Sequence, residues 1–137
     1  MENQLQFLTL AKDAIRDAYS DDLTIVRAFD TFYIPSGQTQ TIQSFFITGR
    51  ALLYSQGIVN SSARIKIFND EGSEIYSVDL GGNKINTDLS VNIIAKCSLV
   101  EFKKVGKYSI EVNIKIEEKE FEKVGNPIYF WVKDENK

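Results

Sequence analysis

Between Gly106 and Ile116 apolar and polar residues alternate without a break. Tyr108, Ile110, Val112, Ile114 and Ile116 fall on one side; Lys107, Ser109, Glu111, Asn113 and Lys115 fall on the other. A period of two sustained over ten residues is incompatible with a helix and defines a strand with one buried and one wet face. The chain must therefore build a sheet with a covered face. The outward row from Lys107 to Lys115 reads as solvated.

Other stretches agree with a mainly β fold. Ala63–Phe68 alternates, Asn69-Asp70-Glu71-Gly72 supplies a turn, and Ile75–Leu80 returns, which is a hairpin pattern. Leu23–Ile34 is rich in β-branched and aromatic residues and stops at Pro35-Ser36-Gly37. Ile42–Tyr54 follows, with Phe45-Phe46-Ile47 apolar on both faces, as in a central strand covered on each side. Gly49 inside it predicts a bulge or a close backbone approach. Ser55–Ser62 reads as a loop, with Ile58-Val59 able to pack back, and Gly81-Gly82-Asn83-Lys84 as another. Val91, Ile93, Ala95, Cys97 and Leu99 share one face of a further strand. Phe121–Val124 and Ile128–Val132 are two short strands separated by Gly125-Asn126-Pro127, and the tail from Lys133 to Lys137 is polar and expected to fray.

One segment breaks the pattern. Leu10, Ala11, Ala14, Ile15, Ala18 and Tyr19 form a helical stripe opposite Lys12, Asp13, Arg16 and Asp17, which predicts a short helix ending near Tyr19, with Ser20-Asp21-Asp22 as the turn after it. Leu5–Leu10 is compatible with a strand before that helix or with an extension of it. The expectation is an antiparallel, immunoglobulin-like β-sandwich of about eight strands with one short N-terminal helix, in a single domain over residues 1–137. Alternation suits antiparallel sheets better than a buried parallel one.

Three of these stretches carry a resemblance. Leu23-Thr24-Ile25-Val26-Arg27-Ala28-Phe29-Asp30, the hairpin Ala63–Val78, and Val105-Gly106-Lys107-Tyr108-Ser109-Ile110-Glu111-Val112 together resemble an uncharacterised bacterial family of small immunoglobulin-like β-sandwich proteins, catalogued only as a domain of unknown function. The chain has Asp21-Asp22 where that family usually has a glycine-lysine pair, and Thr39-Gln40-Thr41 where it usually has a proline. The resemblance implies a sandwich fold; the family carries no established catalytic residues, so it implies no activity.

Composition narrows the chemistry. The chain has no histidine, which excludes Ser-His-Asp, Cys-His and imidazole-metal sites within it. The one cysteine, Cys97, excludes an internal disulfide and a cysteine zinc cluster, and its apolar strand neighbours make it an inert core thiol. Asn69–Glu74 offers oxygen ligands of the kind calcium takes, but without the twelve-residue loop or its closing glutamate, and a solvated turn explains it. Glu117, Glu118, Glu120 and Glu122 sit at a hairpin tip and its return, where carboxylates are ordinarily wet, and Gly81–Lys84 is too short to cradle a phosphate. No cofactor and no metal are expected, and the chain reads as no enzyme.

A net charge of −3 gives no electrostatic footprint for nucleic acid. No apolar run is long enough for a membrane helix, and Met1-Glu2-Asn3-Gln4 opens neither a basic nor an apolar leader, so the expected compartment is the cytoplasm.

The positive signal lies near the end. If Ile128, Phe130 and Val132 face the core, Tyr129, Trp131 and Lys133 face outward. Tyr and Trp are favoured where surfaces meet partners. The alternative is that the N-terminal stripe of Leu10, Ala14, Ile15 and Tyr19 covers them. The expected function is a non-enzymatic interaction module that binds a protein partner or a second copy of itself. A structural subunit of a larger phage or bacterial assembly, and a carbohydrate- or small-ligand-binding sandwich, are the other classes.

Overall fold

A computed structural model describes residues 3–17, 19–20, 22–54, 58–86 and 89–135. Among them are nine strands: β1 (Gln4–Arg16), β2 (Leu23–Phe29), β3 (Thr31–Ile34), β4 (Thr41–Leu53), β5 (Ile58–Phe68), β6 (Glu74–Asn86), β7 (Leu89–Phe102), β8 (Gly106–Ile116) and β9 (Glu122–Asp134). They form two sheets, ordered β2-β1-β4-β7 and β3-β9-β8-β5-β6. Neighbours are antiparallel except β3 and β9, which run parallel with Thr31 opposite Trp131 and Tyr33 opposite Lys133.

The two sheets face one another across an apolar layer. The inward row predicted for β8 is buried from Tyr108 to Ile114, and meets Leu8, Leu10, Ile47, Leu53 and Ile93 of the first sheet. At one end the layer is aromatic. Phe32 of β3 lies 4.9 Å from Phe45 of β4, 5.0 Å from Phe102 of β7 and 5.9 Å from Phe130 of β9, between ring centroids. Tyr108 of β8 closes the group, edge-on to Phe102 at 5.3 Å and stacked with Phe130 at 5.4 Å. Five strands from both sheets thus meet in one cluster, with centroid spacings in the range where ring pairs add to simple burial.

The expected N-terminal helix is absent: residues 4–16 are β1, an interior strand between β2 and β4. The reason lies in the spacing. Positions four apart share a face in a helix and equally in a strand, so Leu10/Ala14 and Ala11/Ile15 satisfy both periods. Pairing on two sides then decides: Leu10 lies opposite Phe29 and Ile47, and Ala11 opposite Ala28 and Phe46. Tertiary pairing overrides the helix preference of the alanines. Ala18 and Asp21 of the expected helix and turn lie outside the described residues.

Five further boundaries differ from expectation. Leu23–Ile34 is two strands, because the chain crosses from one sheet to the other at Asp30. Ile58–Ser62 belongs to β5, and Ser55–Gly57 of the expected loop lie outside the described residues. β6 runs through Gly81 and Gly82. β9 continues through Gly125-Asn126-Pro127, with Gly125 at φ 71° and a register shift opposite β8. Lys133 and Asp134 are likewise in β9, so the tail loses strand order only after them; its last two residues lie outside the described set.

β4 is central in its sheet, and its outer face is partly covered: Thr48 there is fully buried, its hydroxyl donating to the Ile93 carbonyl at 2.7 Å. Phe46, on the same face, is half-buried and lies in register between Ala11 and Lys96. Gly49 has the close approach expected of it. It lies opposite Leu8, next to the register shift between Leu5 and Phe7, and an added Cβ would run into the Phe7 carbonyl oxygen.

Candidate functional site: the outer face of β3, β9 and β8

Alternation along β9 buries Phe130 and Val132 and turns Tyr129, Trp131 and Lys133 to the outer face of the second sheet. Tyr129 is 46% exposed and Trp131 38%. The β1 stripe cannot cover them, because β1 sits in the opposite sheet. Tyr19 is fully exposed.

The register brings in two residues that sequence reasoning missed. Tyr33, 51% exposed, stands on β3 beside Lys133. Lys107 stands on β8 beside Trp131, and its Nζ lies 4.0 Å above the centre of the Tyr129 ring. The local signal for Tyr33 was present: it lies between the buried Phe32 and Ile34. What was hidden is the parallel pairing of β3 with β9, which joins segments about a hundred residues apart and leaves no trace in a window. Backbone bonds hold that pairing, from the Trp131 N–H to the Asp30 carbonyl (2.9 Å) and from the Glu135 N–H to the Ile34 carbonyl (3.1 Å).

The rest of this face is less solvated than its sequence implied. Arg64 donates to both oxygens of Asp79, at 2.6 and 3.2 Å, and its guanidinium lies 4.3 Å from the Phe121 ring centre. That hydrogen bonding holds the Asp79 carboxyl below its ordinary value. Lys66 pairs with Glu74 and Lys123 with Glu111, each at 3.5 Å. Lys115 lies 5.8 Å from the Phe121 ring centre, and the Asn113 amide nitrogen is buried without a hydrogen-bond partner. Among the described residues no carboxylate pairs with Lys107 or Lys133. These two cations lie among the aromatic residues.

Elsewhere, side chains with reactive potential are committed to structure. Cys97 is fully buried, and burial pushes its thiol up to about 12, so it is neutral and shielded near pH 7. Unfolding exposes a thiol that ionises more readily, so this group contributes a loss of stability as pH rises above about 9 and toward 12. The Asn69 side-chain oxygen accepts the N–H groups of Glu71 and Ser73 (3.0 and 2.9 Å), folding the Asn69–Glu74 segment into a self-bonded turn. Glu71 is held by Lys104 at 2.5 Å, a hydrogen bond that lowers its carboxyl below the ordinary value. Among the described residues no three acidic or thiol side chains converge on a point that suits a metal.

A cleft of about 490 Å³ opens between the edge strands β6 and β7, over Ile75, Tyr76, Leu99, Val100 and Tyr108. Here the predicted face of β7 breaks. Leu99 is in the left-handed region (φ 53°) and 74% exposed, while Val100 and Phe102 turn inward. Two residues, Ser98 and Leu99, oppose the single Ser44 of β4, which makes a bulge. The Ser44 hydroxyl oxygen accepts the Leu99 N–H at 3.0 Å, and the Tyr76 hydroxyl oxygen accepts the Ser98 N–H at 3.2 Å. The Tyr108 hydroxyl donates to the Lys104 carbonyl at 2.7 Å. The polar groups around this cleft are thus used internally, and the bulge and the Tyr76 tether act as guards on an open sheet edge.

Fold and face together define a two-sheet β domain with an aromatic and cationic surface on one sheet. Comparison with protein-family models and with curated proteins found no match for the chain, so the family resemblance rests on its three stretches alone.

Proposed function

We propose that the chain is an immunoglobulin-like β-sandwich that acts in the cytoplasm as a non-catalytic protein-binding module, with the outer face of β3, β9 and β8 as its contact surface. The observation that carries this reading is the row Tyr33, Trp131 and Tyr129, held outward on the paired strands β3 and β9 beside two cations without carboxylate partners. Aromatic residues mounted on strands lose little entropy on binding, and such anchors dominate contact energies. The immunoglobulin-like assignment is supported by two features: β3 running parallel to the last strand after a one-residue crossing between sheets, and Tyr108, at the start of β8, bonding back to the carbonyl four residues upstream in the manner of a tyrosine corner.

A protein partner fits better than a glycan. Sugar stacking needs an open ring face, and Lys107 lies over a face of Tyr129. The same lysine suits a partner that brings carboxylates.

The double substitution Tyr129→Ser/Trp131→Ser tests the proposal. Both side chains are about half exposed, so the expected stability loss is modest, about 1–2 kcal/mol. Partners that co-purify with the native chain are expected to be absent from the folded double variant. If the variant keeps its fold and its partners, the face is not the contact surface; if it fails to fold, the pair belongs to the core and the proposal falls.

A further inference from the structure

We infer that the occupant of this face is a second copy of the same chain, docking through the acidic turn between β8 and β9. This inference rests on the contact surface proposed above. It is carried by charge complementarity at opposite ends of one sheet. Because β8 and β9 are antiparallel, Lys107, Trp131 and Lys133 lie at the end where β8 begins, and the turn after Ile116 lies at the other end. The separation along β8 is about 33 Å, from a rise of about 3.3 Å per residue.

At the far end the turn presents Glu118 and Glu120, both exposed. Among the described residues neither is in an ion pair. Glu117, by contrast, is used within the fold, where its carboxylate accepts the Asn60 N–H at 2.9 Å. One end of the sheet therefore carries cations without carboxylate partners among aromatic rings, and the other carries carboxylates without cation partners on an exposed turn. A translation along the strand direction brings the tip of one copy onto the face of the next, with Trp131 as the apolar anchor and Lys107 and Lys133 meeting Glu118 and Glu120. Such a contact joins two different patches. It is head-to-tail, and it propagates into an open chain or closes into a ring rather than stopping at a symmetric dimer.

Ion pairs at an interface rim are individually weak and salt-screened, so the assembly is expected to be concentration-dependent and to dissolve in high salt. Sedimentation velocity on the full chain tests this with two variants, Lys107→Gln/Lys133→Gln and Glu118→Gln/Glu120→Gln. These replace exposed charges by neutral amides, and thermal melts confirm that each remains folded. The native chain is expected to grow in mass with concentration at low salt. Each variant alone is expected to associate at least about tenfold more weakly. An equimolar mixture retains one native tip and one native face, and is expected to give a discrete dimer that does not extend.

A native chain that stays monomeric at low salt and high concentration overturns the inference, as does a mixture that stays monomeric. If the native chain is monomeric but the Tyr129→Ser/Trp131→Ser variant still loses another protein, only self-docking fails and the contact surface stands. If the native chain assembles and the serine variant assembles equally well, both fail.

Discussion

Gly49→Ala is expected to destabilise the protein by about 3 kcal/mol or more, at the upper end of what overpacking costs. The added methyl would meet backbone rather than a side chain that can rotate away. Its Cβ would overlap the Phe7 carbonyl oxygen and lie 2.9 Å from Leu8 Cα. Gly49 is fully enclosed on β4, opposite Leu8, and the register shift between Leu5 and Phe7 presses β1 against it. Relief requires β1 and β4 to separate, which loosens the pairing that holds β1 inside its sheet. In thermal denaturation the midpoint is expected to fall by about 10 °C or more. Gly81→Ala is the control. It lies in β6 with open space at its Cβ position, and is expected to change stability by only a few tenths of a kcal/mol, roughly. Equal effects at the two sites would mean that β1 does not lie against Gly49 as described.

The second large effect is expected at Phe102. Its ring is fully buried and touches Phe32, Phe45, Tyr108 and Phe130 at centroid distances of 5.0–6.1 Å. These neighbours come from four other strands and from both sheets, so truncation leaves a cavity that no single strand can collapse to fill. Phe102→Ala is expected to cost about 3–5 kcal/mol in denaturant unfolding. Phe102→Leu keeps most of the volume and is expected to cost about half as much or less. An alanine variant no weaker than the leucine variant would show that the aromatic cluster does not join the two sheets.

The two predictions mark what the sequence made legible. The β8 alternation announced its own strand, and the inward Tyr108–Ile114 row is buried as the period required. Gly49 announced a close approach, because a glycine inside a strand has few other uses. What was not legible was non-local. β1 satisfied two periods at once, and only pairing with β2 and β4 made it a strand. Simple alternation puts Leu99 on the face of Cys97, and the bulge against Ser44 reverses it. Leu23–Ile34 gave no sign that Asp30 is where the chain changes sheets. The candidate face was partly visible for the same reason: Tyr129, Trp131 and Lys133 follow from alternation within β9, whereas Tyr33 and Lys107 join them only through the pairing of β9 with β3 and β8.

Trp131 is the sole tryptophan, so its fluorescence reports on this face without interference from another indole. Acrylamide quenching measures the face directly. In dilute protein Trp131 is expected to be quenched readily, and at low salt the quenching is expected to fall as concentration rises, returning when salt is added. An indole that is shielded in dilute protein, or one that stays equally accessible at every concentration and with every partner supplied, would contradict the account of this face as a contact surface.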